Sequence, residues 1–226
     1  MKELLNSLQL RVHEKTYIKD PESSDLGKKI IKYSIILIDQ LGFEAFTFKK
    51  LGLQINSNES SVYRYFENKH KLLLYLSAWY WAWLEYQIVL ATYSIANPAE
   101  KLNKMIELIS QKVELDNRFD HINEKKLSSI VINEFSKSFL TKEVDQENKE
   151  GYFSVYKRLI GRFSVAISDV DSSYPFPASL ASTIVEGSLH QRFLKEHFPK
   201  ITNCNDKETT ILFFQDLINK TLVQKS

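Results

Sequence analysis

The densest run of side chains able to recognise a polar partner lies between Thr47 and Leu73. It reads Thr47-Phe48-Lys49-Lys50-Leu51-Gly52-Leu53-Gln54-Ile55-Asn56-Ser57-Asn58-Glu59-Ser60-Ser61-Val62-Tyr63-Arg64-Tyr65-Phe66, then Glu67-Asn68-Lys69-His70-Lys71-Leu72-Leu73. Thr47 and Asn58 are residue types that cap helix starts, so the run predicts two short helices, 48–55 and 59–65. Asn56-Ser57 is left as a tight turn between them, with Asn tolerant of a positive φ. Short polar side chains and unpaired amides then crowd the start of the second helix, an arrangement suited to hydrogen bonding and to binding anions.

Other candidate chemistries are thinner. Glu186 and His190 stand at i, i+4 and could share a metal, but only His197 follows, at a different spacing. No glycine-rich phosphate loop or nucleophile elbow is present. The lone Cys204 excludes an internal disulfide framework or a cysteine metal cluster and suits a reducing compartment. The reading is a non-enzyme with no catalytic residues, no metal and no cofactor.

The elements that must position these residues are helices. Gly and Pro together number 11 of 226, too few turn formers for a sandwich or barrel. Hydrophobic residues at 43% and charged residues at 26% fit a globular chain. No export signal is legible, and Glu85 with Gln87 interrupts the apolar stretch 72–99, which argues against a membrane span. A cytoplasmic protein is expected.

Nine helices and no strand are predicted. The first starts at Asp25 as cap, places Leu26, Ile30, Ser34, Leu37, Ile38 and Leu41 on one face, and stops at Gly42. After the two short helices a long one runs from Asn68 or Lys69 to about Thr92. Asn97-Pro98 opens the next, with Leu102, Met105, Ile106, Ile109 and Val113 inward. One helix carries Leu127, Ile130, Val131, Phe135 and Ser138, and a longer one spans about 145–168. Pro175-Phe176-Pro177 precedes a helix ending near His197, and Asn205-x-x-Glu208 suggests a capping box for the last. Residues 1–24 read as an irregular arm with a helical turn at Leu4–Val12. Charge is uneven along this plan: residues 26–72 hold eight cations against four anions, whereas the whole chain is only +2. A small phosphate-facing module on a neutral body has that footprint.

The stretch 47–73 resembles the helix-turn-helix of the tetracycline-repressor (TetR) family, without a gap, and the preceding Leu41-Gly42-Phe43 matches as well. The resemblance covers about residues 26–75. It departs from the family pattern at Gly52 (usually Ala), Asn56 (usually Gly), Ser57 (usually apolar) and Glu59 (often Lys). It implies an all-α fold: an arm (1–24), a helix-turn-helix DNA-binding domain (25–72) and a larger helical domain for ligand binding and dimerisation (73–226). The second short helix would lie in the major groove of double-stranded DNA. Asn58, Glu59, Ser60, Ser61 and Arg64 would read bases; Thr47, Tyr63 and Lys69 would contact phosphate, and Lys49 would reach the groove. Leu51, Ile55, Val62 and Phe66 would hold the unit against the first helix.

The implied activity is a ligand-responsive regulator, a repressor that binds a palindromic operator as a homodimer and is released by a small apolar or aromatic effector. The alternative is a helical carrier or sensor of apolar molecules that lacks the DNA activity. Pocket candidates are Trp79, Trp83 and Tyr86, nearly on one helical face, with Phe119, Phe135 and Phe139. Interface candidates are Leu159, Ile160, Phe163, Ile184, Gly187 and Ser188, apolar and small residues in the region where family members dimerise.

Overall fold

A computed structural model describes residues 10, 12–116 and 118–222. Among them are eleven α-helices and no strand: α1 (Asp25–Leu41), α2 (Phe48–Gln54), α3 (Glu59–Tyr63), α4 (Lys69–Thr92), α5 (Pro98–Ser110), α6 (Glu124–Asn133), α7 (Phe135–Phe139), α8 (Val144–Lys149), α9 (Ser154–Val170), α10 (Pro177–His197) and α11 (Lys207–Thr221). Two compact units form. One takes the chain up to Trp83 with Val113–Val155; the other takes Leu84–Lys112 and the chain from Tyr156 on. The three-helix region at 25–72 is thus packed together with residues 113–155 in one unit.

In the first unit, α1 buries Ile30, Ile31, Ser34, Ile35, Leu37 and Ile38. Ser24 caps it, by accepting from the Gly27 amide, where the sequence had suggested Asp25. Gly42 stops it at φ 76°, with its N–H on the Ile38 carbonyl at 2.9 Å. Leu41, expected inward, is exposed. The arm is docked on this unit. It forms 3-10 turns at Glu14–Thr16 and Pro21–Ser23, buries Thr16 and Pro21, and donates from the Ile18 amide to the Tyr65 carbonyl at 2.7 Å. A Cβ on Gly27 would lie 2.2 Å from the Pro21 carbonyl oxygen, so the arm crosses α1 where a side chain is missing. Of the suggested turn at Leu4–Val12, all but Leu10 and Val12 lies outside the described residues, and those two are not helical.

Two expected helices are broken. α6 ends before Glu134, whose carboxylate accepts from the Phe43 amide at 3.1 Å and pairs with Lys137 at 2.7 Å, so Phe135 and Ser138 fall on the separate α7. The helix expected over 145–168 is interrupted because Gly151 takes φ 92°. The turn drives Tyr152 and Phe153 into a cluster with Leu74, and the Tyr152 hydroxyl donates to the Lys15 carbonyl at 2.9 Å. α4 is buried on every side from Leu72 to Trp83, as a helix apolar all round must be. No helix among the described residues is long and apolar enough to cross a membrane.

In the second unit, Asn97 caps α5 by accepting from the Glu100 amide at 3.0 Å. Leu102, Met105, Ile106 and Ile109 face inward as expected. The hydroxyls of Ser110 and Ser188 meet at 3.1 Å between α5 and α10. α11 opens on a capping box of Asp206 with Thr209, one residue later than the suggested Asn205 and Glu208.

Candidate nucleic-acid interface and effector cavity

The pair α2 and α3 is fixed by local bonds. Thr47 caps α2 by accepting from the Lys50 amide at 3.2 Å, and Asn56 makes the turn at φ 53°. Asn58 caps α3: its Oδ1 accepts from both the amide and the hydroxyl of Ser61 at 2.8 Å. A Cβ on Gly52 would stand 3.1 Å from backbone atoms of Ser57, Asn58 and Glu59. The turn therefore lies almost against the α2 backbone. Leu51, Ile55, Val62 and Phe66 are buried, as the expected packing of the unit requires.

This frame leaves Thr47, Lys49, Asn58, Ser60, Tyr63 and Arg64 exposed and Glu59 half-buried. Tyr63 sets its ring edge against Phe48, with centroids 5.0 Å apart, and is 47% exposed. Two candidates are placed differently from the others. Ser61 is buried, and its hydroxyl accepts from Arg64 Nη2 at 3.2 Å, so it orients Asn58 and Arg64 and does not face outward. Lys69 donates through Nζ to the carbonyls of Phe43 and Glu44, each at 3.1 Å, and sits 4.7 Å over the Phe43 ring. Its ammonium braces the loop before α2, together with Lys50, which donates to the Ala45 carbonyl at 2.7 Å.

The aromatic candidates are largely packing. Trp79 and Phe119 meet edge to face at 5.1 Å and border a cleft of about 480 Å³ beside Tyr17, Tyr75 and Glu22. Trp83 is buried and donates through Nε1 to Asp116 at 3.1 Å. The rings of Phe135 and Phe139 meet at a tilt with centroids 4.7 Å apart, Phe139 against the Tyr152–Phe153 cluster, and Tyr86 is half-buried.

A larger cavity, about 600 Å³, opens within the second unit among α4, α5 and α9. Its walls include Ile88, Val89, Met105 and Val165, with Arg158 and Arg162 also lining it. None of the six aromatic candidates lines it. The available sequence signal was Glu85, a lone acid in an apolar run. Its carboxylate takes both Arg158 Nε (2.8 and 2.7 Å) and Arg162 Nε (2.5 Å). Burial pushes the Glu85 pKa up, but the hydrogen bonds and charges of the two arginines outweigh it and hold the carboxyl below its ordinary value.

The interface candidates are mostly used inside the single chain. Leu159, Phe163, Ile184 and Ser188 are fully buried, and a Cβ on Gly187 would meet the Phe214 ring of α11 at 3.0 Å. Apolar and small residues at helical spacing mark a packed face, and here that face meets the chain's own helices. Ile160 alone of the six apolar and small candidates remains half-exposed without such an intramolecular role assigned. Glu186, considered above as a metal partner of His190, accepts from the Tyr156 hydroxyl.

No protein-family model matches the sequence, and no curated protein matches it. Solved structures do match. AibR, in a complex with isovaleryl coenzyme A and operator DNA, is 17% identical, covers 88% of this chain and 100% of its own, and superposes with a TM-score of 0.59. The fatty acid degradation regulator FadR from Bacillus halodurans is 13% identical over 87% of this chain and 96% of its own, at 0.60. The ketosteroid transcriptional regulator KstR2 of Mycobacterium tuberculosis is 12% identical over 87% and 94%, at 0.57. The chain therefore shares the all-helical fold of these solved proteins.

Proposed function

We propose that the protein is a ligand-responsive, DNA-binding transcriptional repressor that acts as a homodimer on a palindromic operator. The observation that carries this reading is α3: a five-residue helix, capped by Asn58 and backed by Val62 and Phe66, that leaves Ser60, Tyr63 and Arg64 in solvent. A helix held this way can enter the major groove with its leading residues at base edges. Ser60, Asn58 and Arg64 offer donors and acceptors there, and the Glu59 carboxylate can accept from cytosine N4. Thr47 and Tyr63 contact phosphates, which set register, and Lys49 reaches the groove. Ser61 and Lys69 act through the frame that they brace.

A single short helix gives little specificity, so two copies read half-sites about 34–36 Å apart. The effector releases DNA only to the extent that it binds the DNA-incompetent dimer better. The structure of AibR with operator DNA and an acyl-coenzyme A supports the same pairing of ligand and DNA here. The chain is then a cytoplasmic regulator and not an enzyme.

The test is a gel shift of the full chain on duplex DNA from upstream of its own reading frame, at about 50 and 200 mM salt. A retarded complex that weakens by orders of magnitude at the higher salt is expected. No shift at either salt, or a shift unchanged in Tyr63→Ala and Arg64→Ala, contradicts the proposal.

A further inference from the structure

We infer that the cavity among α4, α5 and α9 binds an amphipathic carboxylate, an apolar body with one anionic head, with the terminal amino groups of Arg162 holding the head beside Gly161. This deepens the reading of the protein as effector-responsive and rests on it. Three observations on the second unit lead there.

The first is size and polarity. At about 600 Å³ the cavity is in the range of small-molecule sites. Ile88, Val89, Met105, Val165 and Ala166 supply apolar wall, while Arg158 and Arg162 on α9 and Lys101 on α5 supply cations. Asp169, the acid that lines it, is seven residues beyond Arg162 on α9, about 10 Å along the axis. A head at Arg162 is thus well separated from it.

The second is an incomplete ion cluster. One carboxylate, Glu85, stands between two guanidiniums, so a positive charge is left over. Arg158 is engaged through Nε and Nη2, the latter 2.5 Å from Glu85 Oε2. Arg162 gives Glu85 only its Nε, and its terminal amino groups make no hydrogen bond to any described residue. A planar guanidinium pinned at one nitrogen with two amino groups free is arranged for a carboxylate. Because Glu85 already orders the side chain, less freedom is lost when the anion arrives.

The third is Gly161. Glycine weakens a helix relative to alanine, and Gly161 stands within α9. Here an added Cβ would meet nothing within 4 Å, and the residue borders the cavity. The missing side chain therefore leaves the cavity open beside Arg162.

The experiment is calorimetric titration of the full chain with octanoate, 1-octanol and octylammonium. Octanoate is expected to bind about tenfold or more tighter than 1-octanol, and octylammonium more weakly than either. Arg162→Met should remove the preference for octanoate while leaving 1-octanol binding unchanged. Gly161→Leu should abolish binding of both while the thermal midpoint stays equal or rises, which separates a filled cavity from a misfolded chain. Equal affinity for octanoate and 1-octanol overturns the inference, as does absence of binding by all three at millimolar concentration. So does a Gly161→Leu variant that binds octanoate normally but no longer self-associates in sedimentation, since the gap would then belong to a second copy. Gel shifts on the same preparations keep the two readings apart. DNA binding without octanoate binding removes only this site, whereas octanoate binding without any DNA complex removes the regulator reading.

Discussion

Replacing Glu85 with glutamine tests whether the acid on α4 ties that helix to α9 through its charge. The carboxylate is 6% exposed, while the side chains of Arg158 and Arg162 are 52% and 45% exposed. Exposed pairs contribute at most about 1 kcal/mol each, and breaking a fully buried pair costs about 3–5 kcal/mol. A dry acid with two half-solvated partners falls between, and Glu85→Gln should cost about 2 kcal/mol at neutral pH. For a chain of this size that lowers the thermal midpoint by about 4–8 °C. Pairing holds the folded pKa of Glu85 below its ordinary 4.5. Its stabilisation is therefore complete above about pH 4.5 and fades as pH falls through the folded pKa. Thermal and urea denaturation of both proteins at pH 7.5 and pH 3.5 should show a gap that narrows in acid. A variant as stable as the parent at pH 7.5, or a gap that is constant down to pH 3.5, would refute the reasoning.

Three further outcomes follow from the first unit. Asn58→Ala removes the cap of α3 and its two bonds to Ser61; a loss of about 1 kcal/mol in urea denaturation is expected, together with weaker DNA binding. Asn56→Val places a β-branched residue at φ 53° and should cost about 1–2 kcal/mol, whereas Asn56→Gly should not. Gly27→Ala drives a methyl group into the Pro21 backbone and should lift the arm, read as faster hydrogen exchange at the Ile18 amide that now pairs with Tyr65.

The sequence carried the features that depend on neighbours along the chain. Caps at Thr47, Asn58 and Asn97, the stop at Gly42 and the positive φ of Asn56 are local effects, and the structure has each of them. Overlapping local signals were harder: Asn205 with Glu208 and Asp206 with Thr209 are rival boxes one residue apart, and only the backbone chooses. The break at Gly151 was outweighed by an apolar pattern that continues through Tyr152. What could not be read was which partner each apolar face meets. Leu159, Phe163 and Ile184 mark a packed face whether they meet the same chain or a second copy. Trp79 and Trp83 look alike in periodicity, yet one borders a cleft and the other is tied to Asp116. The cavity wall comes mostly from residues on three helices, none of them unusual alone, and Glu85, which holds the two arginines, is not itself part of that wall.

The central claim is that α3 reads DNA sequence. Its most direct test is fluorescence anisotropy of the full chain, Ser60→Ala and Arg64→Ala on the upstream duplex and on a scrambled duplex of equal length at one salt. Each variant should lose about 1–3 kcal/mol on the upstream duplex and little on the scrambled one. Equal losses on the two duplexes, or none on either, would contradict it.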